Sequence, residues 1–512
     1  ADALVRVGFE VEEIEYHGTD LAGPLVVGAV LAIEEITEFK KPIRWVELDC
    51  GESTSRFVIC GAANFVLGDL VFVALPGALL AGGFAISQRE TYGKTSDGMI
   101  CSSRELGLSD EHAGILVLPP KCAIPGADAL ALLEIADVVF DIAVNPDRGY
   151  ALSLRGIARE VAAALDVKYS DPVHAIDLAA FTTSKGGVSV KIDDPTGASV
   201  IFIRTLENFN PAAQSPLWIR RRIEKCGMRS ISLAVDVTNY VMLELGQPLH
   251  AFDRAQINGG LHIRRAGSTT SFTTLDGQVR TLDAQDLLVA DEKGPLALAG
   301  TMGGENSEVG VATTSLAIEA ARFDPISIAR NARRHKLSTE ASKRFERGVD
   351  PSLAQYASAR AATLLIEFAG ATHLASHSDG EPRYSPIVDF DPNFAATLTG
   401  ADISNATVAE KLRIIGCDIE EKSAKLWRID PPSWRNDLQG PADFVEEVAR
   451  MIGYDAIPSA LPPRPVSPGL TDSQQRRRVI AQMLADRGLV EVQTYPFLSD
   501  ANMQVMGYTG ER

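Results

Sequence analysis

The sequence predicts a multidomain α+β chain, and three observations carry that expectation. Its 512 residues exceed what a single core usually holds. A run of short, glycine-punctuated β segments lies near the start. A longer middle region then mixes strand and helix patterns. Hydrophobic residues make up 46% of the chain, enough for each domain to bury a core, which excludes a disordered chain. The formal charge of -18 does not attract nucleic acid as an overall field, so any RNA contact needs local basic patches. The six cysteines, Cys50, Cys60, Cys101, Cys122, Cys226 and Cys417, form no CxxC pair. That argues against a zinc ribbon and a disulfide framework, and fits a reducing cytoplasm.

Taken in order, the start "ADALVRVGFEVEEIEYHG" has no basic segment followed by an apolar core, so it does not read as a signal peptide. From about 24 to 120, "LVVGAVLAIEEI", "RWVELDCG", "RFVICGAAN", "DLVFVALPGALL" and "FAISQRETYG" read as five strands of a small barrel such as an OB-fold. The stretch "FVLGDLVFVALPGALLAGGFAI" is long enough to span a membrane, but Asp69, Pro76 and several glycines divide it into strands, so no membrane partner is expected. "DVVFDIAVNPDRGYALSLRGIAREVAAAL" reads as a strand, a Pro-Asp turn and an amphipathic helix, with Leu154, Ile157, Val161 and Leu165 on one face. Residues from about 198 to 380 alternate helices and strands, as in an α+β domain with a pocket. From about 385 to 460, helices and a hairpin suggest a small winged or helix-turn-helix-like module. After the Pro-rich "IPSALPPRPVSPG", the helix "DSQQRRRVIAQMLADRG" and the strand "LVEVQTYPFL" begin a further domain. The missing initiator Met and the ending "MGYTGER" fit a fragment.

Several residues stand out chemically, each with a plainer alternative. His250, in "ELGQPLHAFD", sits between apolar neighbours; a lone histidine there is more often structural. Glu319, in "TSLAIEAARF", is a carboxylate in an apolar setting, costly unless paired, and the residues alone favour pairing with nearby Arg322. Asn239, in "VTNYV", offers a donor and an acceptor, or is simply a mid-helix or cap residue. Gly303 and Gly304 permit close backbone approach to a ligand, or serve only a turn. Asp437, Asp443, Glu446 and Glu447 cluster in sequence, the last three at i, i+3 and i+4. All-oxygen ligands suit magnesium; a solvated acidic helix N-terminus is the alternative. Basic runs occur at Arg220, Arg221 and Arg222, and at Arg330, Arg333, Arg334 and Lys336. Each run meets phosphates, faces solvent or pairs with acids. Arg89 and Lys94 give the barrel region only a thin basic signature.

"CGAAN" with "SDGMICSSRELGL", then "DVTNYVMLELGQPLHAFD", "AGTMGGENSEV", "IEAARFDP", "STEASKRFERGVDP", "PSWRNDLQGPADFVEEVARMIGYD" and "RRVIAQMLADRGLVEVQTYPF" follow one another. In that order they resemble the beta subunit of bacterial phenylalanine–tRNA ligase, over nearly the whole chain. The resemblance implies an N-terminal α+β domain (1–20 and 126–195) interrupted by an OB-fold tRNA-binding domain (21–125). An editing domain (196–384) and a small winged-helix-like domain with the acidic metal cluster (385–462) would follow. Residues 463–512 would begin an inactive class II synthetase-like core, and the family's extreme N-terminus and C-terminal domains would be absent.

The resemblance also implies a chemistry. A phenylalanine pocket cannot strongly exclude tyrosine, which merely adds a hydroxyl, so a second site hydrolyses the mischarged ester. Glu319 would recognise the phenol, His250 would line the site, and Asn239 would bind the terminal adenosine or the water. Thr339, Ala341, Gly303 and Gly304 would form the walls, with Ala341 setting pocket size. The four carboxylates would bind Mg2+, and Arg330, Arg333, Arg334 and Lys336 would meet tRNA. ATP and magnesium would serve charging of tRNA(Phe) at the alpha subunit, in an alpha2beta2 heterotetramer. No serine or cysteine nucleophile stands out, so direct hydrolysis by water is expected. The rivals are a tRNA-holding scaffold without hydrolysis and a magnesium-dependent enzyme centred on residues 437–447.

Overall fold

A computed structural model describes residues 1–39, 43–108, 114–133, 136–463 and 469–508. Helix α1 (Asp2–Arg6) leads into β1 (Glu10–His17). A strand-rich insertion follows: β2 (Leu25–Ile36), β3 (Ile43–Asp49), β4 (Arg56–Cys60), β5 (Leu70–Ala74), β6 (Leu79–Leu80), β7 (Phe84–Ala85), β8 (Arg89–Thr91), β9 (Lys94–Ser96), β10 (Met99–Ile100) and β11 (Val117–Leu118). The main sheet runs β10-β5-β2-β3-β4, with β11 also on β5. The Asp97 amide donates to the Phe57 carbonyl at 2.8 Å, bringing the segment before β10 back to β4, so the sheet nearly closes into a barrel. Valines and leucines alternate inward along the strands, for example Val46 and Leu48 in β3. The stretch of membrane-spanning length is divided among β5, β6 and β7, and no helix of the described residues is long and apolar enough to cross a membrane. "FAISQRETYG" is not one strand: it divides into β7 and β8, each in its own small hairpin, because Gly82, Gly83 and Gly93 turn the chain at positive φ.

After α2 (Ala129–Leu133), β12 (Asp137–Ala143) returns to pair antiparallel with β1 across the insertion. Helix α3 (Leu154–Leu165) differs from its expected face. Leu154 and Leu165 are exposed, Ile157 and Val161 are only partly buried, and Arg155, Gly156 and Glu160 are buried. The reason lies in the charges: Arg155 reaches Asp171 and Asp350, and Glu160 reaches Arg450, so ion pairs rather than leucines set the inward face.

The largest block holds two stacked sheets. Its elements are β13 (Val190–Ile192), β14 (Ala198–Glu207), α4 (Leu217–Lys225), α5 (Leu233–Leu245), β15 (Leu249–Asp253), β16 (Leu261–Arg265), β17 (Ser271–Thr273), β18 (Val279–Thr281), β19 (Leu287–Ala290), β20 (Pro295–Leu298), β21 (Met302–Gly303), β22 (Leu316–Phe323), α6 (Pro325–His335), α7 (Glu340–Arg347), α8 (Ala354–Ala369) and β23 (Thr372–Gly380). The antiparallel sheet β15-β22-β14-β23 packs one face on α5 and α8. Its other face meets the sheet β13-β16-β19-β20-β21 through Ile201, Ile203, Phe252 and Phe323 against Leu261, Ile263, Leu287 and Val289.

A small module follows: β24 (Val388–Phe390), α9 (Phe394–Thr399), α10 (Asn405–Ile414), β25 (Asp418–Ser423), β26 (Leu426–Asp430) and α11 (Pro441–Ile452). Its three-stranded sheet, ordered β24-β26-β25, shares a core with these helices through Phe390, Leu412, Trp427 and Phe444. Residues up to Ile457 form one compact unit and Pro458–Arg512 a second, containing α12 (Asp472–Asp486) and α13 (Asp500–Val505). Part of the expected Pro-rich linker, residues 464–468, lies outside the described residues. "LVEVQTYPFL" forms no strand, because no partner strand for it exists among the described residues, and Val490 and Val492 stand exposed.

Candidate active site between the two sheets

Strand alternation brings the key carboxyl group inward. Along β22, Leu316 and Ile318 face the helical core, while Ala317, Ala321 and Phe323 face the second sheet. Glu319 shares the latter parity and so lies between the sheets. His250 on β15 is its register partner, on the same face as Phe252, and its ring meets the Phe252 ring edge-on at 4.4 Å. Gly303 on β21 sits against that imidazole: a Cβ there would stand 2.5 Å from Cε1 and 2.9 Å from Nε2. Glycine is needed here for close approach, and the same backbone accepts the Leu275 amide at 3.0 Å. On the other wall, Thr339 caps α7. Its Oγ1 accepts the Ser342 amide at 3.0 Å and donates to the Thr301 carbonyl at 3.1 Å. That cap presents Ala341 and Phe345, one helical turn apart, to a cavity of about 220 Å³. Leu249, Val289, Leu298 and Met302 complete mostly apolar walls.

The polar groups of this cavity are few and uncharged. Glu319 is 6% exposed, and among the described residues no ion pair reaches it. Burial pushes its carboxyl up to about 8, so at neutral pH it is protonated and both donates and accepts hydrogen bonds. Arg322, the partner that the residues alone favoured, points elsewhere, with Nη2 3.5 Å from Asn436 Oδ1. His250 is half-buried, and desolvation lowers it to about 4, which leaves a neutral imidazole. An apolar slot with one neutral acid and one neutral imidazole suits an aromatic side chain bearing a single hydroxyl.

The structure thus brings together His250, Glu319, Gly303 and Ala341, with Thr339 framing the wall. Asn239 is half-buried in the middle of α5 and does not line the cavity. Gly304 serves packing instead: a Cβ there would meet the Phe272 ring and Asn306 Oδ1 at 2.6 Å. On α6, Arg334 pairs with Asp283 and Asp286, while Arg330, Arg333 and Lys336 are exposed, and none of the four lines the cavity. Pro248, Gly300, Thr301 and Phe345 also line it. The sequence signal for them was adjacency: Pro248 precedes His250 closely, Gly300 and Thr301 sit in "AGTMGG", and Phe345 follows Ala341 by four residues. Leu275, at a hairpin tip, carried no such signal. A wider groove of about 560 Å³, lined by Asn258, Phe272, Asp291 and Lys293 among others, holds none of the expected site residues.

The acidic quartet requires a correction. Asp443 Oδ2 accepts the amides of Gln439 and Gly440, at 2.9 and 2.8 Å, and caps α11. Asp437 is held by Arg435 at 2.6 Å. Glu447 is buried between Arg435 and Arg450, at 2.5 and 2.6 Å, and these guanidinium groups hold its carboxyl well below the usual range. Glu446 faces solvent. The i, i+3, i+4 spacing does not gather these oxygens, and arginines already neutralise two of the carboxylates. Among the described residues no group of three His, Cys, Asp or Glu side chains is placed to hold a metal. The residues present do not fit a magnesium site, and no chemical step is derived through one.

Comparison with known proteins adds four family matches. A B3/4 domain matches residues 197–370, a tRNA synthetase B5 domain 388–454, a putative tRNA binding domain 25–128, and a phenylalanyl tRNA synthetase beta chain CLM domain 457–512. The phenylalanine–tRNA ligase beta subunits of Thermobifida fusca, Streptomyces avermitilis and Nocardia farcinica are 50%, 49% and 47% identical to it, each over 97% of this chain. The chain spans 60% of the length of each.

Proposed function

Because the chain belongs to the phenylalanine–tRNA ligase beta-subunit family, we propose that its own reaction is hydrolysis of tyrosyl-tRNA(Phe) in the cavity of Glu319 and His250. The observation that carries this reading is the neutral Glu319 carboxyl group, without an ion pair among the described residues, in a mostly apolar slot of about 220 Å³. A tyrosine ring entering that slot hydrogen-bonds Glu319 through its phenol. A phenylalanine ring leaves the same buried group unpartnered, at a cost of about 1–3 kcal/mol or more. His250, neutral and a weak base with a pKa of about 4, orients water or the ester rather than abstracting a proton. The vicinal hydroxyl of the terminal adenosine is then available to position the attacking water.

In this reading the barrel is an OB-fold that binds tRNA, residues 385–462 are winged-helix-like, and residues 463–512 begin an inactive class II synthetase-like core. Exposed Arg330, Arg333 and Lys336 contribute to tRNA binding, and Asn239 acts indirectly, through the helix that supports β15. Charging of tRNA(Phe) with phenylalanine uses ATP and magnesium at an alpha subunit, in a cytoplasmic alpha2beta2 heterotetramer. The test is a deacylation assay with tyrosyl-tRNA(Phe) and phenylalanyl-tRNA(Phe), run with and without the alpha subunit. Selective release of tyrosine in either condition supports the reading. Release of neither, with alpha present, leaves the scaffold.

A further inference from the structure

The run "WIRRRIEK" on α4 has no part in the editing cavity, yet its middle arginine is placed unusually. Arg221 is 6% exposed, although it is a guanidinium. Among the described residues its Nε has no hydrogen-bond partner, and the nearest carboxylate, that of Glu224, stands at 3.8 Å, beyond hydrogen-bond reach. A buried, poorly paired cation is costly and calls for an acceptor. Arg221 lines a cavity of about 580 Å³ together with Trp218, Arg222 and Lys225 from α4, and Leu130 and Asp137 from the other wall. Lys225 is bonded to Asp137 across it. Of the charged side chains among the described residues that line the cavity, three are cationic and one is anionic, in a chain whose net charge is -18.

The position is as informative as the charge. One wall is α2 and the start of β12, directly after the segment matched as a putative tRNA binding domain. The other wall is α4 of the B3/4 match, and its Leu217 packs into the barrel's own core. The cavity therefore lies on the seam where an RNA touching both domains would pass. We propose that Arg221 and Arg222 form a phosphate site that takes a phosphodiester of the bound tRNA backbone. Arg221 supplies its charge from the cavity wall, and exposed Arg222 donates to a non-bridging oxygen at the mouth.

This inference rests on the reading that the chain binds tRNA, and is independent of hydrolysis. The test is tRNA(Phe) binding to the full chain by filter retention over a series of salt concentrations, for the unsubstituted protein, Arg221→Gln and Arg222→Gln. Each substitution is expected to weaken binding at low salt and to flatten the slope of log affinity against log salt by about 0.7–0.9. Arg222→Gln, at an exposed position, keeps the test valid if Arg221→Gln fails to fold. A structural role for Arg221 lowers the melting temperature and leaves the slope unchanged, which overturns the proposal, as does an unchanged slope in a folded Arg222→Gln. Inorganic phosphate as a separate probe identifies the source: Arg221-dependent phosphate binding with unaltered tRNA slopes assigns the site to the free anion and overturns the RNA assignment. If the unsubstituted chain binds no tRNA, both this inference and tRNA binding itself fail; normal binding by the unsubstituted chain with unaffected variants removes only the inference.

Discussion

At Glu319 the physics can be separated from the biology. Its folded carboxyl group titrates near 8 instead of 4.5, so between those values the folded chain holds a proton that the unfolded chain has released. The stability this neutral acid allows is present below about pH 4.5 and is lost as pH rises toward 8. His250 has the opposite sign, with stability gained as pH rises from about 4 to 6.5, so the window above 6.5 isolates Glu319. From pH 6.5 to 8, the unsubstituted chain in urea melts should lose about 1 kcal/mol per pH unit relative to Glu319→Gln, the slope halving from about 1.4 as the folded pKa is reached. Parallel curves would mean that Glu319 is ionised and solvated. Gly303 gives a second prediction. Gly303→Ala drives a methyl into the His250 ring, so deacylation should fall by about 100-fold while the far-ultraviolet circular dichroism stays unchanged; an active Gly303→Ala enzyme would remove His250 from the reaction. The residues alone favoured a structural His250 and a Glu319 paired with Arg322; the family resemblance is what put both, with Gly303 and Ala341, in one pocket, and one cavity is lined by all four. Asn239 was legible only as a residue type, since its motif does not say which way the helix turns it.

Helices α3 and α11 show where pattern reading stops. Leucine spacing predicted the inward face of α3, but Arg155 and Glu160 win it through ion pairs with residues up to 290 positions away, which no local window contains. Leu154→Ser should therefore shift stability by no more than about 0.5 kcal/mol. Gly156→Ala should cost about 2–4 kcal/mol, because its Cβ would stand 2.1 Å from the Tyr150 carbonyl oxygen. Reversal of that order in thermal melts would restore the leucine face. On α11 the acidic spacing was visible, but the burial of Arg435 and Arg450 against it was not. Glu447→Gln leaves two buried guanidinium groups short of a counter-charge and should cost about 3–5 kcal/mol. Magnesium or a chelator should leave the melting temperature of the unsubstituted chain where it is. A rise of several degrees with magnesium, abolished by Glu447→Gln, would favour a metal in place of the arginines.

Across the whole molecule, the multidomain α+β class and a nearly closed barrel were the most readable features. The barrel interrupts a two-stranded pairing between β1 and β12, and the motifs fall in one sequence from barrel to cavity to small module. What could not be read was the outcome of partners far apart in the chain: "LVEVQTYPFL" has the composition of a strand but no neighbour to pair with among the described residues. The cavity itself joins distant segments around His250, Met302, Glu319 and Ala341: strand pairing joins His250 to Glu319, sheet stacking brings Met302, and α7 brings Ala341. The proposal that this junction reads a phenol hydroxyl rests most directly on the ratio of tyrosine to phenylalanine release from tRNA(Phe), measured with the alpha subunit present, for the unsubstituted chain and Glu319→Ala. A ratio of at least about 100 that collapses toward one in Glu319→Ala, through slower tyrosine release, is the expected result. A ratio that survives Glu319→Ala in a folded protein would contradict it and move the discrimination elsewhere.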